Sequence, residues 1–178
     1  MEATLPTAQA RAGAVSPPCT DFEGVYARFR NKVYSTACRM VSNPADAEDI
    51  TQDVFVRIYK KMGSFRGEAQ LSTWIYRITM NCCLDHLRRR KRDLAVQLSP
   101  DFDVPGPGLD VMKVIEGALP AMPSGYRQVF VLHDIQGMRH SEIARILGIA
   151  EGASKSQLHR ARAFLRKAIG PWLRAMRR

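Results

Sequence analysis

The stretch Met138–Ala168, MRHSEIARILGIAEGASKSQLHRARAFLRKA, restricts the fold more than any other part of the chain. Ile143, Ala144 and Leu147 put an apolar stripe on a short helix, and Gly148 breaks it where a tight turn is wanted. A second helix is predicted from about Gly152. There Ser154, Leu158, Ala161 and Leu165 recur at i, i+4, i+7 and i+11 and share one face. Ser156, His159, Arg160 and Lys167 fall on the far side, with Lys155, Arg162 and Arg166 on the flanks. A short helix, a glycine turn and a basic second helix is the pattern of a unit that lays its second helix in the DNA major groove. A basic, solvated helix packed on a neighbour has the same local pattern, so the rest of the chain must choose between them.

Charge distribution favours the first reading. The net charge is +10, but it is segregated. Residues 20–62 hold seven basic and six acidic residues, and residues 63–92 hold seven basic and two acidic. Residues 93–117 hold one basic and five acidic, and residues 118–178 hold eleven basic and three acidic. Two basic blocks flanking an acidic spacer suit a polyanion touched at two places, and nucleic acid is the default polyanion.

Residues 1–20, rich in Ala, Thr and Pro, are expected to form a flexible tail. Phe22, Val25, Tyr26, Phe29, Val33 and Ala37 predict an amphipathic helix over 21–41. Asn43-Pro44 starts the next helix, with Asn43 as cap and Pro44 at its first position. That helix runs to about Met62 and buries Ala47, Ile50, Val54 and Ile58. Its opposite face carries Asp49, Gln52, Asp53, Val56, Tyr59 and Lys60. An exposed valine and tyrosine beside two carboxylates favour a docking surface for a basic protein partner.

Residues 63–69 form a loop in which glycines bracket Phe65-Arg66. Such a pair can clamp an unpaired base, or Phe65 can simply tuck into the core. A long helix follows from Leu71 to Arg92, with Leu71, Ile75, Ile78 and Cys82 inward. Trp74, Arg77, Asn81 and Asp85 share a neighbouring face, and the run Arg88 to Arg92 can lie along phosphates.

Asp93 to Asp110, with three prolines and two glycines, reads as a linker. Helical patterning resumes with Val111, Ile115, Ala118 and Leu119 on one face. It continues through Gly125 to Gln136 with Tyr126, Val129, Phe130 and Leu132, and Gly170-Pro171 should stop the last helix. No segment alternates as a strand. The expected fold is all-α: a tail (1–20), a helical domain (21–92), a linker (93–110) and a second helical domain (111–178), whose relative arrangement the sequence leaves open.

No apolar run approaches membrane-spanning length, and no secretory leader is recognisable, so a soluble cytoplasmic protein is expected. Cys19, Cys38, Cys82 and Cys83 form no CxxC pair, which points to buried thiols rather than a zinc site or disulfide framework. His86, His133, His140 and His159 make no HExxH, and no glycine-rich phosphate loop is present. We therefore expect no metal, no cofactor and no catalytic residues. His133-Asp134 reads as a helix surface pair.

Together these segments resemble a bacterial sigma factor of the extracytoplasmic-function (ECF) group of the sigma-70 family, over about residues 21–170. Asp46-Ala47-Glu48-Asp49-Ile50-Thr51-Gln52-Asp53-Val54-Phe55 is similar to region 2.2 of that family. The resemblance implies that Asp49, Gln52, Asp53 and Phe55 dock on core RNA polymerase. Phe65-Arg66-Gly67-Glu68, Thr73-Trp74-Ile75-Tyr76-Arg77-Ile78 and Asn81 to Arg90 resemble regions 2.3 and 2.4. By that resemblance Phe65, Arg66, Trp74, Arg77 and Asn81 engage the −10 strand, and Arg88, Arg89 and Arg90 hold its backbone. Ala118-Leu119, Met122-Pro123, Arg127, Gly137, Glu142-Ile143-Ala144 and Leu147-Gly148-Ile149 are similar to region 4. This implies that Lys155, Ser156, Gln157, His159 and Arg160 read the −35 duplex of promoter DNA. An anti-sigma factor is the further partner implied.

The chain departs from the family where the recognition helix opens. A common Gly-Thr-Val-Lys-Ser-Arg stretch is here Gly152-Ala153-Ser154-Lys155-Ser156-Gln157, and the usual cap position holds Ala150. Ser154 on the buried face should weaken packing unless its hydroxyl finds a backbone acceptor. Gln157 in place of a long cation should change the sequence read. The alternative function is an autonomous helix-turn-helix repressor, which the linker and the docking-like helix disfavour.

Overall fold

Side-chain caps set the helix starts. In the computed structural model, which describes residues 21–67, 69–93 and 110–175 (side chains for 21–67, 69–90 and 110–174), α1 spans Phe22–Val41. The Asp21 carboxylate accepts from the Glu23 and Gly24 N–H groups at 3.2 and 3.3 Å. Ser42 ends α1 in the left-handed region, at φ 58°. Asn43 then caps α2 (Pro44–Lys61), accepting from Ala45 and Asp46 at 2.9 and 3.3 Å. After a 3₁₀ turn at Met62–Ser64 and a loop, α3 runs over Leu71–Asp93.

The C-terminal half starts with α4 (Val111–Ala118), capped by Asp110 through the Met112 N–H at 3.1 Å. A 3₁₀ turn (Leu119–Ala121) leads to α5 (Ser124–Phe130), which runs into one π turn at Val131–Ile135. Then come α6 (His140–Leu147) and α7 (Glu151–Ala175). Among the described residues there is no strand.

Helices α1, α2 and α3 pack on one another around Val25, Phe29, Val33, Val54, Ile58 and Ile75. Helices α4, α5 and α6 pack on α7 around Val114, Val129, Ile143, Leu158 and Ala161. The halves are also joined. Helix α1 meets the turn after α4 and the α5 region, and α6 lies against α3. Arg127 of α5, 8% exposed, crosses the seam. Its Nη1 donates to the Met40 carbonyl in the last turn of α1 at 2.7 Å. Its Nη2 donates to the Pro120 and Met122 carbonyls at 2.7 and 3.0 Å. A guanidinium therefore sits at the negative end of the α1 dipole. Burial lowers its pKa from the ordinary arginine value.

Gln136 makes a second crossing. Its Oε1 accepts from the Tyr76 hydroxyl of α3 at 2.6 Å, and its Nε2 donates to the Thr36 hydroxyl of α1 at 3.1 Å. Burial pushes the Tyr76 phenol up to about 12. Arg39 and Glu116 form a further bridge at 2.8 Å.

Several expectations need correction. Pro171 does not stop the last helix; α7 continues to Ala175 with the proline inside it. A helix-interior proline costs about 3 kcal/mol. Burial of Ile169 and Trp172 on either side of it, at roughly 1.5–3 kcal/mol for each large apolar side chain, offsets that cost. Val111 is 43% exposed, and the buried members of its helix are Val114 and Ala118. Ile146 joins Ile143 in the core of α6, with Leu147 half-buried against it. Tyr26 is 40% exposed instead of inward. The tail at 1–20 and linker residues 94–109 lie outside the described residues.

Candidate nucleic-acid interface

Three outward surfaces hold the residues singled out from the sequence. The first is on α2. Asp49, Gln52 and Asp53 are exposed in a row, beside Val56 (50% exposed) and Tyr59 (69%). Phe55 is not part of the open row; it is 4% exposed. Its ring meets Tyr26 edge-on, with centroids 4.7 Å apart, while Tyr59 meets Phe22 at 5.2 Å. Phe55 thus supports an aromatic ledge and lines the cleft beside it. Alongside, Tyr26, Arg30, Tyr34, Glu48 and Gln52 line a cleft of about 420 Å³ between α1 and α2.

The second surface is on α3 and the loop before it. Phe65 is half-buried and its ring lies against Trp74, centroids 5.2 Å apart and 44° between planes. The Phe65 N–H donates to the Met62 carbonyl at 3.1 Å, which fixes the loop. Gly67 follows at φ +73°, a conformation that suits glycine. Arg66, Arg77 and Asn81 are exposed around this aromatic pair.

The basic run beyond is partly engaged with carboxylates. Arg88 pairs with Asp85 and Arg90 with Asp46, both at 3.3 Å. His86 Nε2 lies 3.2 Å from the same Asp46 oxygen. Arg89 is exposed and outside these pairs. Exposed pairs contribute only about 0–1 kcal/mol, so a phosphate can displace the carboxylate from Arg88.

The third surface is on α7. Ser154, Leu158, Ala161 and Leu165 are buried, and Lys155, Ser156, His159, Arg160, Arg162, Arg166 and Lys167 are all exposed, as the periodicity predicts. Gly148 turns the chain at φ +67° before α7. Lys155 is bridged to Glu151 at 2.8 Å, and Arg160 donates to the Tyr126 hydroxyl at 3.4 Å. Gln157 is half-buried; a Cβ at Gly125 would lie 3.5 Å from its side-chain oxygen.

Arg162 is engaged elsewhere, forking onto Asp134 at 2.9 and 2.7 Å. Burial alone would raise the Asp134 pKa. The hydrogen bonds from Arg162 and His133 outweigh it and hold the carboxyl below its usual range. That pairing, and the role of Tyr126 beneath Arg160, are not legible from periodicity.

Ser154, for which only a backbone acceptor was considered, finds a side-chain partner. Its hydroxyl, fully buried, lies 2.9 Å from His140 Nδ1. The His140 ring stacks on His133, centroids 4.5 Å apart, and His133 Nδ1 lies 2.7 Å from Asp134. The His140 pKa is lowered, first by burial and then by the charges of His133 and Lys155. Glu142 secures the start of α6 by accepting from the Arg139 N–H at 2.9 Å.

Cys82 and Cys83 are buried, and burial raises the Cys83 thiol to about 12, where it is unreactive. Among the described residues no three His, Cys, Asp or Glu side chains are grouped to hold a metal ion. No described helix is long and apolar enough to cross a membrane.

Comparison with known proteins converges on one family. The family model for sigma-70 region 2 matches residues 25–93, and that for sigma-70 region 4 matches residues 112–165. The chain is 34% identical over 151 residues to the ECF RNA polymerase sigma factor SigM of Mycobacterium tuberculosis, covering 84% of this chain and 77% of the relative. It is 32% identical over 158 residues to the ECF RNA polymerase sigma factor SigW of Bacillus subtilis, covering 79% of this chain and 84% of the relative. Its fold matches that of the sigma factor RpoE solved with the anti-sigma factor NepR from Bartonella quintana. There the TM-score is 0.72 at 24% identity, covering 85% of this chain and 98% of that one.

Proposed function

Since the chain belongs to the extracytoplasmic-function group of the sigma-70 family, we propose that its three outward surfaces carry the steps of promoter recognition. The α2 row of Asp49, Gln52 and Asp53, propped by the Phe55 ledge, docks on core RNA polymerase. Phe65, Arg66, Trp74, Arg77 and Asn81 take the −10 strand, and Arg88, Arg89 and Arg90 hold its backbone. Lys155, Ser156, Gln157, His159 and Arg160 read the −35 duplex. Residues 21–92 and 111–178 act as the two working domains and 93–110 as their linker, behind a tail at 1–20. The protein works in the cytoplasm as a non-enzymatic specificity subunit, and an anti-sigma factor restrains it until a stress signal arrives.

One observation carries this reading. The α7 face opposite its buried stripe is open, polar and cationic, directly after the glycine turn that a recognition helix needs. A phosphate-rich groove fits such a face; an apolar partner does not.

Run-off transcription from a promoter library, with purified bacterial core polymerase, tests the proposal. Transcripts that start at defined promoters only when the protein is added are the expected result. Silence with active polymerase, together with duplex binding by the protein alone, would instead point to a repressor.

A further inference from the structure

The start of the helix-turn-helix holds a polar cluster that neither the −35 face nor the apolar core accounts for. Ser154, on the inner face of α7, is fully buried. Its hydroxyl lies 2.9 Å from Nδ1 of His140, the first residue of α6. The His140 ring stacks on His133 of the π turn, with centroids 4.5 Å apart and 28° between planes. Three segments thus meet at one pair of imidazoles: the π turn that ends α5, the start of α6 and the start of α7.

The direction of the Ser154–His140 bond follows from what each group can do. A buried hydroxyl proton needs an acceptor. The Ala150 carbonyl, one turn back, takes the Ser154 N–H at 3.1 Å, and no backbone carbonyl among the described residues receives the hydroxyl. The hydroxyl proton therefore goes to Nδ1, and the neutral ring carries its own proton on Nε2. Protonation reverses this. A cationic ring donates at both nitrogens, so the Ser154 proton loses its acceptor in a fully buried place.

The charges around the ring oppose a cation. His133 of the π turn and Lys155 and Arg162 of α7 disfavour it, against Glu151 of α7. Asp134 is taken up by Arg162 and His133. On α6 itself Glu142 closes on the Arg139 N–H. Helix α3 brings Thr73 to Glu142, and Arg77 to a cleft shared with Arg145. Lys155 and Ser156 directly follow Ser154 and are exposed, so a shift at Ser154 moves both.

We infer that His140 is a positioning residue for duplex reading: its neutral ring, accepting from Ser154, fixes how α7 enters the groove, and protonation of that ring releases it. The role rests on the −35 assignment to α7 made above. Phosphates attract an added cation on every duplex alike, whereas a displaced recognition helix loses only sequence-dependent contacts. The signature is a −35 preference that falls as pH falls.

The test uses polymerase holoenzyme carrying the full chain. Fluorescence anisotropy compares a promoter fragment from the run-off assay with the same fragment whose −35 element is scrambled. The pH runs from about 8 to about 5.5, with circular dichroism following the fold. The parent's preference should fall about threefold to tenfold. His140→Asn offers an acceptor near the Nδ1 position and does not titrate, so it should keep the preference at every pH. His140→Phe keeps a ring to stack and has no acceptor, so it should show the low preference at every pH. His159→Gln should still show the fall, although His159 is exposed on the reading face. In the free chain, the His140 imidazole followed by NMR should titrate below the ordinary value of about 6.5. It should move up in Ser154→Ala, where the hydroxyl that favours the neutral ring is gone. A parent preference that is flat while the fold holds, or that falls equally in His140→Asn, would overturn the positioning role. A fall that vanishes with His159→Gln would overturn it in favour of His159. A His140 pKa unmoved or lowered in Ser154→Ala would overturn the bond direction on which release depends. A parent with no −35 preference even at pH 8 would overturn the −35 assignment and the role in reading with it, while the titration would still decide the Ser154 bond.

Discussion

Helices α3 and α7 each carry six basic residues in the sequence, and their surfaces differ in the folded chain. On α7, Ser156, His159, Arg166 and Lys167 stand open to solvent, and no ion pair engages these two cations among the described residues. On α3, Trp74 is half covered, α6 stands beside it, and Arg88 and Arg90 are met by Asp85 and Asp46. The lesson is that a count of cations does not measure an available binding surface. What matters is which carboxylates and which neighbouring helix the fold brings to it. The α7 face stands open to solvent, whereas α6 stands beside the α3 face.

The strongest way to break this contrast is at Arg127. Arg127→Met strips three carbonyls of their donor, one of them in the other half of the molecule. Loss of a buried, charge-assisted donor should cost about 3 kcal/mol or more, seen as a lower urea midpoint. If the midpoint stays put, the Arg127 bonds do not hold the two halves together. Next is docking on polymerase. Gln52→Ala with Asp53→Ala should abolish association with core polymerase in a pull-down and leave −35 duplex binding unchanged; retained association would move the docking site off α2.

On α7 itself, Arg160→Ala should weaken −35 duplex binding by about tenfold and flatten its salt dependence by about one phosphate. Arg162→Ala should do much less, because Asp134 already holds that guanidinium. Equal losses would mean that the Asp134 fork does not withdraw Arg162 from DNA.

The smallest effect concerns pH. Burial, and then the charges of His133 and Lys155, hold the His140 pKa below the ordinary value in the folded chain. A depressed folded pKa means that the unfolded chain takes up the proton first. The stability contributed is complete above the unfolded value, about 6.5, and is lost as pH falls from there through the folded value. The thermal midpoint should therefore drop modestly as pH is lowered from neutral into the mildly acid range, and drop less in His140→Gln. An unchanged slope in that variant would exclude His140 as the source.

Much of this architecture was legible in the sequence, for definite reasons. Asn43-Pro44 marks the start of α2 because capping and proline chemistry are local. The buried face of α7 follows from spacing alone. Pro171 misled, because the residues that outweigh it, Ile169 and Trp172, act through tertiary burial that no local rule contains. The surroundings of Phe55 were not legible either: the sequence motif places it beside Asp53, and the aromatic ledge turns it inward against the cleft. Ser154 was recognised as an anomaly, and its partner His140, fourteen residues earlier, was not. The seam was invisible altogether, since Gln136, Thr36 and Tyr76 are unremarkable polar residues until the fold brings them together. The −10, −35 and polymerase assignments rest on motif resemblance and on exposure.

The central claim is that α3 and α7 serve separate steps, strand capture and duplex reading. Permanganate reactivity of promoter thymines, measured with polymerase carrying the Trp74→Ala or the Arg160→Ala protein, tests it most directly. Trp74→Ala should leave the promoter occupied but closed, with unreactive thymines around the −10 element. Arg160→Ala should lower occupancy and reactivity together. A promoter that opens normally with Trp74→Ala, or one that stays fully occupied but closed with Arg160→Ala, would contradict the division of labour.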